Sequence, residues 1–398
     1  MAGDGSACDD GAMGGRLFGD GLAVGPDLDG AAEVAVAQAL EPLGGATPDL
    51  VWVFVAPGRA GPDAAGAALL RAGGLARSRA TVGVTSRGVI GDGRGVEQGP
   101  AVAVWAAVLP GAGVRPVRLT ATVADGGRVR VEGMPVPRSD DRVAALVVDP
   151  YSFPVDGFLR HTDVATPGFP LVGGLAGAAG GPGANRLLLD GELHDDGAVG
   201  VVLGGDVGAR TVVSQGCRPI GPPMVVTRAE RSVLLELAGT PAYRRLAEIV
   251  TALPPADQEL AGRGLHIGVA MDEYAHEHGR GDFLVRGVTG VDEGTGAVAV
   301  GAVVEVGQTV RFQVRDAAGA ADDLTALLGP APAGGALLFS CNGRGTTMFD
   351  SADHDVRTLR RALGDGGIAG FFAAGEIGPV GGRNHLHAFT ASVLAFGA

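Results

Sequence analysis

Ala336-Leu337-Leu338-Phe339-Ser340-Cys341-Asn342-Gly343-Arg344-Gly345 is the stretch on which the reading of this chain turns. Six apolar or small residues without a charge predict a buried strand over 336–341. Asn342-Gly343-Arg344 then reads as a loop, because glycine admits backbone angles closed to other residues. Downstream, Asp355 to Leu363 predicts a helix with its arginines on one side, and Ile368 to Ala373 (IAGFFA) a second strand. Gly375-Glu376-Ile377-Gly378 closes the unit, and His387 to Phe396 reads as a returning strand.

The same order occurs near the N-terminus. Leu50 to Ala56 (LVWVFVA) is a strand, Pro57-Gly58-Arg59 a loop, Pro62 to Gly73 a helix and Ala80 to Thr85 a strand. Gly88-Val89-Ile90-Gly91 closes this copy, and Val102 to Leu109 returns. The spacing from loop arginine to closing glycine (Arg59 to Gly88, Arg344 to Gly375) agrees to within two residues. A third copy runs from the strand Ala144 to Asp149 through the loop Pro150-Tyr151-Ser152, a helix over 155–163 and the strand Phe169 to Val172. Gly173 to Gly177 closes it, with strands at 186–190 and 198–203 after it. Leu265 to Ala270 is read as the start of a partial fourth copy, and Ala31 to Leu43 as a small-residue helix. The expected fold class is α/β in the mixed α+β sense: repeated strand-loop-helix-strand units forming mixed sheets flanked by helices. Equivalent loops would gather at one rim, where ligands of α/β sheets bind.

Composition bounds the function. With 398 residues, more than one domain is expected. Aromatics are 5% and the hydrophobic share is 46%, so the cores must be built from Ala, Val and Leu. The 70 glycines lie between apolar runs without a short period, which indicates turns and close backbone contacts rather than disorder. Residues 1–28, rich in Gly and Asp, are expected to be poorly ordered. All 31 basic residues are arginine. Without lysine there is no Schiff base, no pyridoxal-phosphate anchor and no P-loop. The net charge of −13 with scattered arginines speaks against nucleic acid and an anionic membrane surface as partners. Cys8, Cys217 and Cys341 form neither a disulfide framework nor a metal knuckle. No signal peptide and no apolar run of about 18 residues is visible, so a cytoplasmic location is expected.

The candidate ligand site is Cys341, Asn342, Gly343, Arg344 and Gly345. Two glycines at positive φ would let backbone N–H groups converge on an anion, and Arg344 would add a planar fork for a carboxylate. Each charge-assisted bond would contribute about 1.5–3 kcal/mol. Glu376, Gly378, Arg383 and Asn384 supply a second cluster: Glu376 could receive an ammonium and Arg383 a carboxylate, or the two could pair internally. Gln215, Gly216, Cys217 and Arg218 form a possible secondary loop, read rather as a crossover because Gly221-Pro222-Pro223 follows. Cys341 could serve as a nucleophile only with a base, His354 or His385, beside it; no catalytic residue and no metal site are expected. His385 and His387, on one strand face, and His276 and His278, in a polar loop, could ligate metal or haem iron, though no third ligand is apparent. Arg280-Gly281-Asp282 reads as a polar turn.

Val213 to Gly221, Gly281-Asp282-Phe283-Leu284-Val285-Arg286, Leu338 to Gly345 and Ala374 to Asn384 together resemble the FIST family, bacterial sensory modules with N-terminal and C-terminal FIST regions. The likeness runs over about residues 30–396. It implies an N-terminal domain over 29–221 and a C-terminal domain over 222–398. It also implies a small-ligand-binding protein in signal transduction, with amino acids as the ligand class. Haem-based gas sensing, and protein recognition like that of the related region in F-box proteins, are the alternatives it carries. The chain shows no kinase, cyclase or methyl-accepting segment, so its output is expected to pass to a protein partner. Gly287 stands where the family pattern leads us to expect a polar residue.

Overall fold

The computed structural model describes residues 15–124, 128–178, 180–275, 277–279, 281–330 and 333–397. Three units share one plan. In the first, strand Leu50–Ala56 leads through helix Gly61–Ala76 to the parallel strand Ala80–Thr85. Strand Ala101–Val108 returns antiparallel to Leu50–Ala56, and Leu17–Val24 pairs outside it. The second unit uses Asp141–Val148, helix Val155–Ala165, Leu171–Leu175 and the returning Ala198–Gly205, with Ala112–Val123 outside. The third uses Gly335–Cys341, helix His354–Leu363, Gly367–Ala373 and the returning Thr390–Phe396, with Ala209–Gln215 outside. In each, a glycine of the second parallel strand (Gly83, Gly173, Gly370) faces the carbonyl of its register partner (Val53, Leu146, Leu338). A side chain there would press into that carbonyl.

The closing segments are where the units meet. Each forms a hairpin that leaves its own unit and pairs with the second parallel strand of another. The hairpin Gly88–Gly91 and Arg94–Val96 of the first unit joins Gly367–Ala373 of the third. That of the third, Glu376–Val380 and Arg383–His387, joins Leu171–Leu175 of the second. That of the second, Leu187–Leu189 and Glu192–His194, joins Ala80–Thr85 of the first. The exchange closes in a ring. The inner faces of all three sheets bury a common core in which Trp52 meets Phe339 at 6.2 Å and Phe54 meets Phe371 at 5.6 Å between ring centroids. Helices cover the outer faces.

Between Gln215 and Gly335 the chain builds a fourth sheet from Cys217–Pro219, Met224–Glu230, Val233–Leu237, Leu265–Ala270, Phe283–Asp292, Ala297–Val300 and Thr309–Arg315, with helices Ala242–Ala252 and Pro255–Arg263. Its own core holds Leu234, Leu246, Ile267 and Phe312.

Two expectations are corrected. Leu265–Ala270 begins no fourth copy: both its neighbours run antiparallel to it, whereas the unit requires a parallel partner. And part of the segment 1–28 is ordered. Leu17–Val24 is a strand because Gly19 and Gly21 let its backbone lie directly on Ala39 and Ala35 of helix Leu28–Leu40. Residues 1–14, with Cys8, lie outside the described residues. The expected boundary at 221/222 is crossed by three sheets: two because the exchanged hairpins bind sequence from both sides of it, and the fourth because Cys217–Pro219 pairs with Thr309–Arg315.

Candidate functional site

The loop after Cys341 is built from inside. Arg344 is fully buried. Its Nε and Nη2 donate to Asp355 Oδ2 and Oδ1 at 2.7 and 2.8 Å. Ser340 Oγ donates to Oδ2 at 2.7 Å, and His354 Nδ1 stands 3.1 Å from Oδ1. Burial opposes ionisation of Asp355, but Arg344 and these hydrogen bonds outweigh it and hold the carboxyl well below the ordinary range. The guanidinium also lies over the Phe349 ring, 5.2 Å from its centroid. This corrects the reading of Arg344 as a ligand-binding group: its fork is already filled, because helix His354–Leu363 returns an aspartate to it.

The expected anion nest does not form either. Neither Gly343 nor Gly345 is in the left-handed region. The amide of Asn342 donates to Ala373 O at 2.8 Å and that of Arg344 to Cys341 O at 2.9 Å, while Gly343 N–H points at Cys341 Sγ at 3.4 Å. Gly345 is required for another reason, since a side chain there would run into Glu97.

Glu376 meets Cys341 beneath this loop. The carboxyl is fully buried, accepts from Thr390 Oγ1 at 2.8 Å and Thr390 N at 3.2 Å through Oε2, and is pushed up to about 8 by burial. It is therefore uncharged at neutral pH and is no ready receptor for an ammonium. Oε1 has no hydrogen-bond partner within ordinary geometry among the described residues, although the Cys341 thiol lies against the same carboxyl. Burial and the neighbouring Glu376 push the Cys341 thiol up, so it stays protonated. Phe389 caps the cluster at φ +62°. Its carbonyl accepts from Gly216 N at 2.8 Å, and its ring stacks edge-on with His266 at 4.3 Å.

The remaining expected residues hold elements together. Asn384 donates to Phe169 O at 2.8 Å and accepts from Leu171 N at 2.8 Å, which ties the third hairpin to the second unit. Gly378 gives room to Val213 and Ser392, and Arg383 is exposed on the hairpin. Gln215 Nε2 donates to Gly281 O and Phe283 O, both at 3.1 Å, and Arg218 pairs with Asp257 and Asp316. This loop is the crossover into the fourth sheet. His387 is buried, its Nε2 3.0 Å from Gly378 O, and burial pushes it down to about 3; His385 is lowered for the same reason, 5.9 Å away ring to ring. Among the described residues, no three of His, Cys, Asp and Glu are grouped to hold a metal ion. His276 and Arg280 lie outside the described residues.

The open polar site is next door. A cleft of about 70 Å³ is lined by Arg87, Glu97, Gln98, Asn342, Thr346, Thr347 and Phe372. It exists because the first unit's hairpin is laid on the third unit's sheet. Glu97 accepts from Thr346 N at 3.1 Å and from its hydroxyl. Arg87 is exposed and makes no hydrogen bond or ion pair with a described residue. Of the residues singled out from sequence only Asn342 lines this cleft. Arg87, Glu97 and Gln98 were missed. The signal was there, a charged pair bracketing the first closing hairpin, but nothing local ties it to residue 342.

The FIST N domain matches residues 49–240 and the FIST C domain residues 242–379. The uncharacterized protein Rv0628c of Mycobacterium tuberculosis (strain ATCC 25618 / H37Rv) is 43% identical over 385 residues, 95% of this chain and 99% of the relative. The uncharacterized protein Mb0898c of Mycobacterium bovis is 41% identical over 385 residues, 95% of this chain and 98% of the relative. FIST domains are sensory domains that bind small ligands. On both matched regions, this chain belongs to the FIST family.

Proposed function

We propose that this protein senses a small amino-acid-like zwitterion in the cleft between the first unit's hairpin and the third unit's loop. The observation that carries the reading is the pair of opposite charges, Arg87 and Glu97, on one cleft. Arg87 has no competing partner among the described residues and is suited to a carboxylate. Glu97, anchored by Thr346, offers its carboxylate to an ammonium. Gln98, Asn342 and Thr347 orient the head group by hydrogen bonds. At about 70 Å³ the cleft takes the charged head and leaves the ligand's side chain outside. Occupancy would be passed to a protein partner in the cytoplasm. No helix among the described residues is long and apolar enough to cross a membrane.

Calorimetric titration with the standard amino acids tests this. Binding should weaken about tenfold to a hundredfold in Arg87→Ala and in Glu97→Gln, the range of one charge-assisted contact. Titration heats no larger than dilution for every amino acid would end the proposal, as would binding that both variants retain.

A further inference from the structure

The fourth sheet carries a groove unrelated to the rim. It has a volume of about 580 Å³, within the range of small-molecule sites. Helix Ala242–Ala252 gives one wall through Ile249 and Ala252, the connector Pro222-Pro223 gives the other, and buried Met224 is the floor. Gly221, at φ +62°, sets the shape: a Cβ there would stand 2.9 Å from Ile249, so only glycine lets the connector press onto the helix.

One polar group on this apolar groove is under-used. Arg245 lines it, and its Nε is buried without a hydrogen-bond partner among the described residues. Its other nitrogens make only long contacts, Nη1 to Glu248 at 3.3 Å and Nη2 to Ala238 O at 3.4 Å. Glu248 is shared with Arg244 at 3.1 Å, so two guanidiniums face one carboxylate and the corner is net positive. A buried, unpaired guanidinium nitrogen is costly unless something accepts from it.

We infer that this groove binds an amphiphilic carboxylate, with the alkyl or aryl body between Pro222, Met224 and Ile249 and the carboxylate on the part-exposed guanidinium of Arg245. The body removes apolar wall from water and the carboxylate completes the fork. The site is independent of the rim cleft and takes a ligand of opposite character, apolar with one negative end.

Octanoate and 1-octanol, equal in chain length but differing in charge, are the probes, titrated into the full chain by calorimetry. Octanoate should bind one per chain and at least about tenfold tighter than octanol. Arg245→Gln should weaken octanoate about tenfold and leave octanol unchanged. Ala252→Trp, which fills the groove from an exposed position, should weaken both. Circular dichroism checks that each variant is folded, and Ala252→Trp keeps the test decisive if Arg245→Gln is not. No saturable octanoate binding, octanol binding as tightly as octanoate, or octanoate binding that survives both substitutions overturns the inference.

Discussion

Arg344→Ala separates a structural arginine from a ligand-binding one. The substitution leaves the Asp355 carboxylate buried with Ser340 Oγ and His354 as its remaining partners. Removing one member of a buried ion pair costs about 3–5 kcal/mol, mostly from the charge left behind. Asp355 is held below its ordinary value of 3.8, so its contribution is present above that pH and lost as acid titrates the folded state. A measurement at pH 7 therefore sees all of it. Arg344→Met with Asp355→Leu removes both charges at similar volume and should recover part of the loss. It should still fall about 1–3 kcal/mol short of wild type, because buried Ser340 Oγ loses its acceptor. Urea unfolding followed by fluorescence is the assay, since Trp52 and Trp105 are fully buried in the shared core. If Arg344→Ala unfolds within about 1 kcal/mol of wild type but no longer binds an amino acid, Arg344 is a ligand group and the structural assignment fails.

Between pH 4.5 and about 8 the native state keeps the proton of Glu376 that the unfolded chain has lost. Stability should therefore fall with rising pH by up to about 1.4 kcal/mol per unit over this window. The buried histidines His266 and His387, pushed down to about 4 and about 3, contribute the opposite slope only below their ordinary 6.5. Glu376→Gln should thus flatten the urea-midpoint profile between pH 6.5 and 8, and parallel wild-type and variant profiles would count against a neutral Glu376. Gly370→Ala places a Cβ into Leu338 O and should cost about 1–3 kcal/mol or prevent folding, whereas Gly287→Ala, with nothing near its Cβ, should stay within about 0.5 kcal/mol. Equal thermal midpoints for the two alanine variants would show that the glycine contact between the parallel strands is not required.

The units themselves were legible because their signals are local. Leu50–Ala56, Ala80–Thr85 and Gly335–Cys341 are uncharged apolar runs, and the helices between them carry one apolar face. Leu17–Val24 was not legible, since two glycines and Asp20 break its pattern; only the helix packed against Gly19 and Gly21 explains them. For the site, Arg344 does hold a carboxylate, but that of Asp355, and Glu376 is buried away from any ammonium. A buried arginine and an exposed one look alike in sequence, and the difference lies in Asp355, eleven residues on, turned inward by its helix.

The exchange of hairpins explains why the missed residues are those of the cleft. If each closing segment folded back on its own unit, Arg87 and Glu97 would stay with the first sheet. Instead the register of Val89 with Phe371 carries them to the third unit, against Thr346 and Asn342. A polar cleft made this way needs two units in place at once, so its shape depends on how they dock and not on either alone. That dependence is what a sensor requires. A ligand bridging Arg87 on one unit and Asn342 on the other stabilises one docking over its alternatives by the difference in its affinity for them. Under the proposed function the same ring would transmit that preference, because the third unit's own hairpin is committed to the second and the second's to the first.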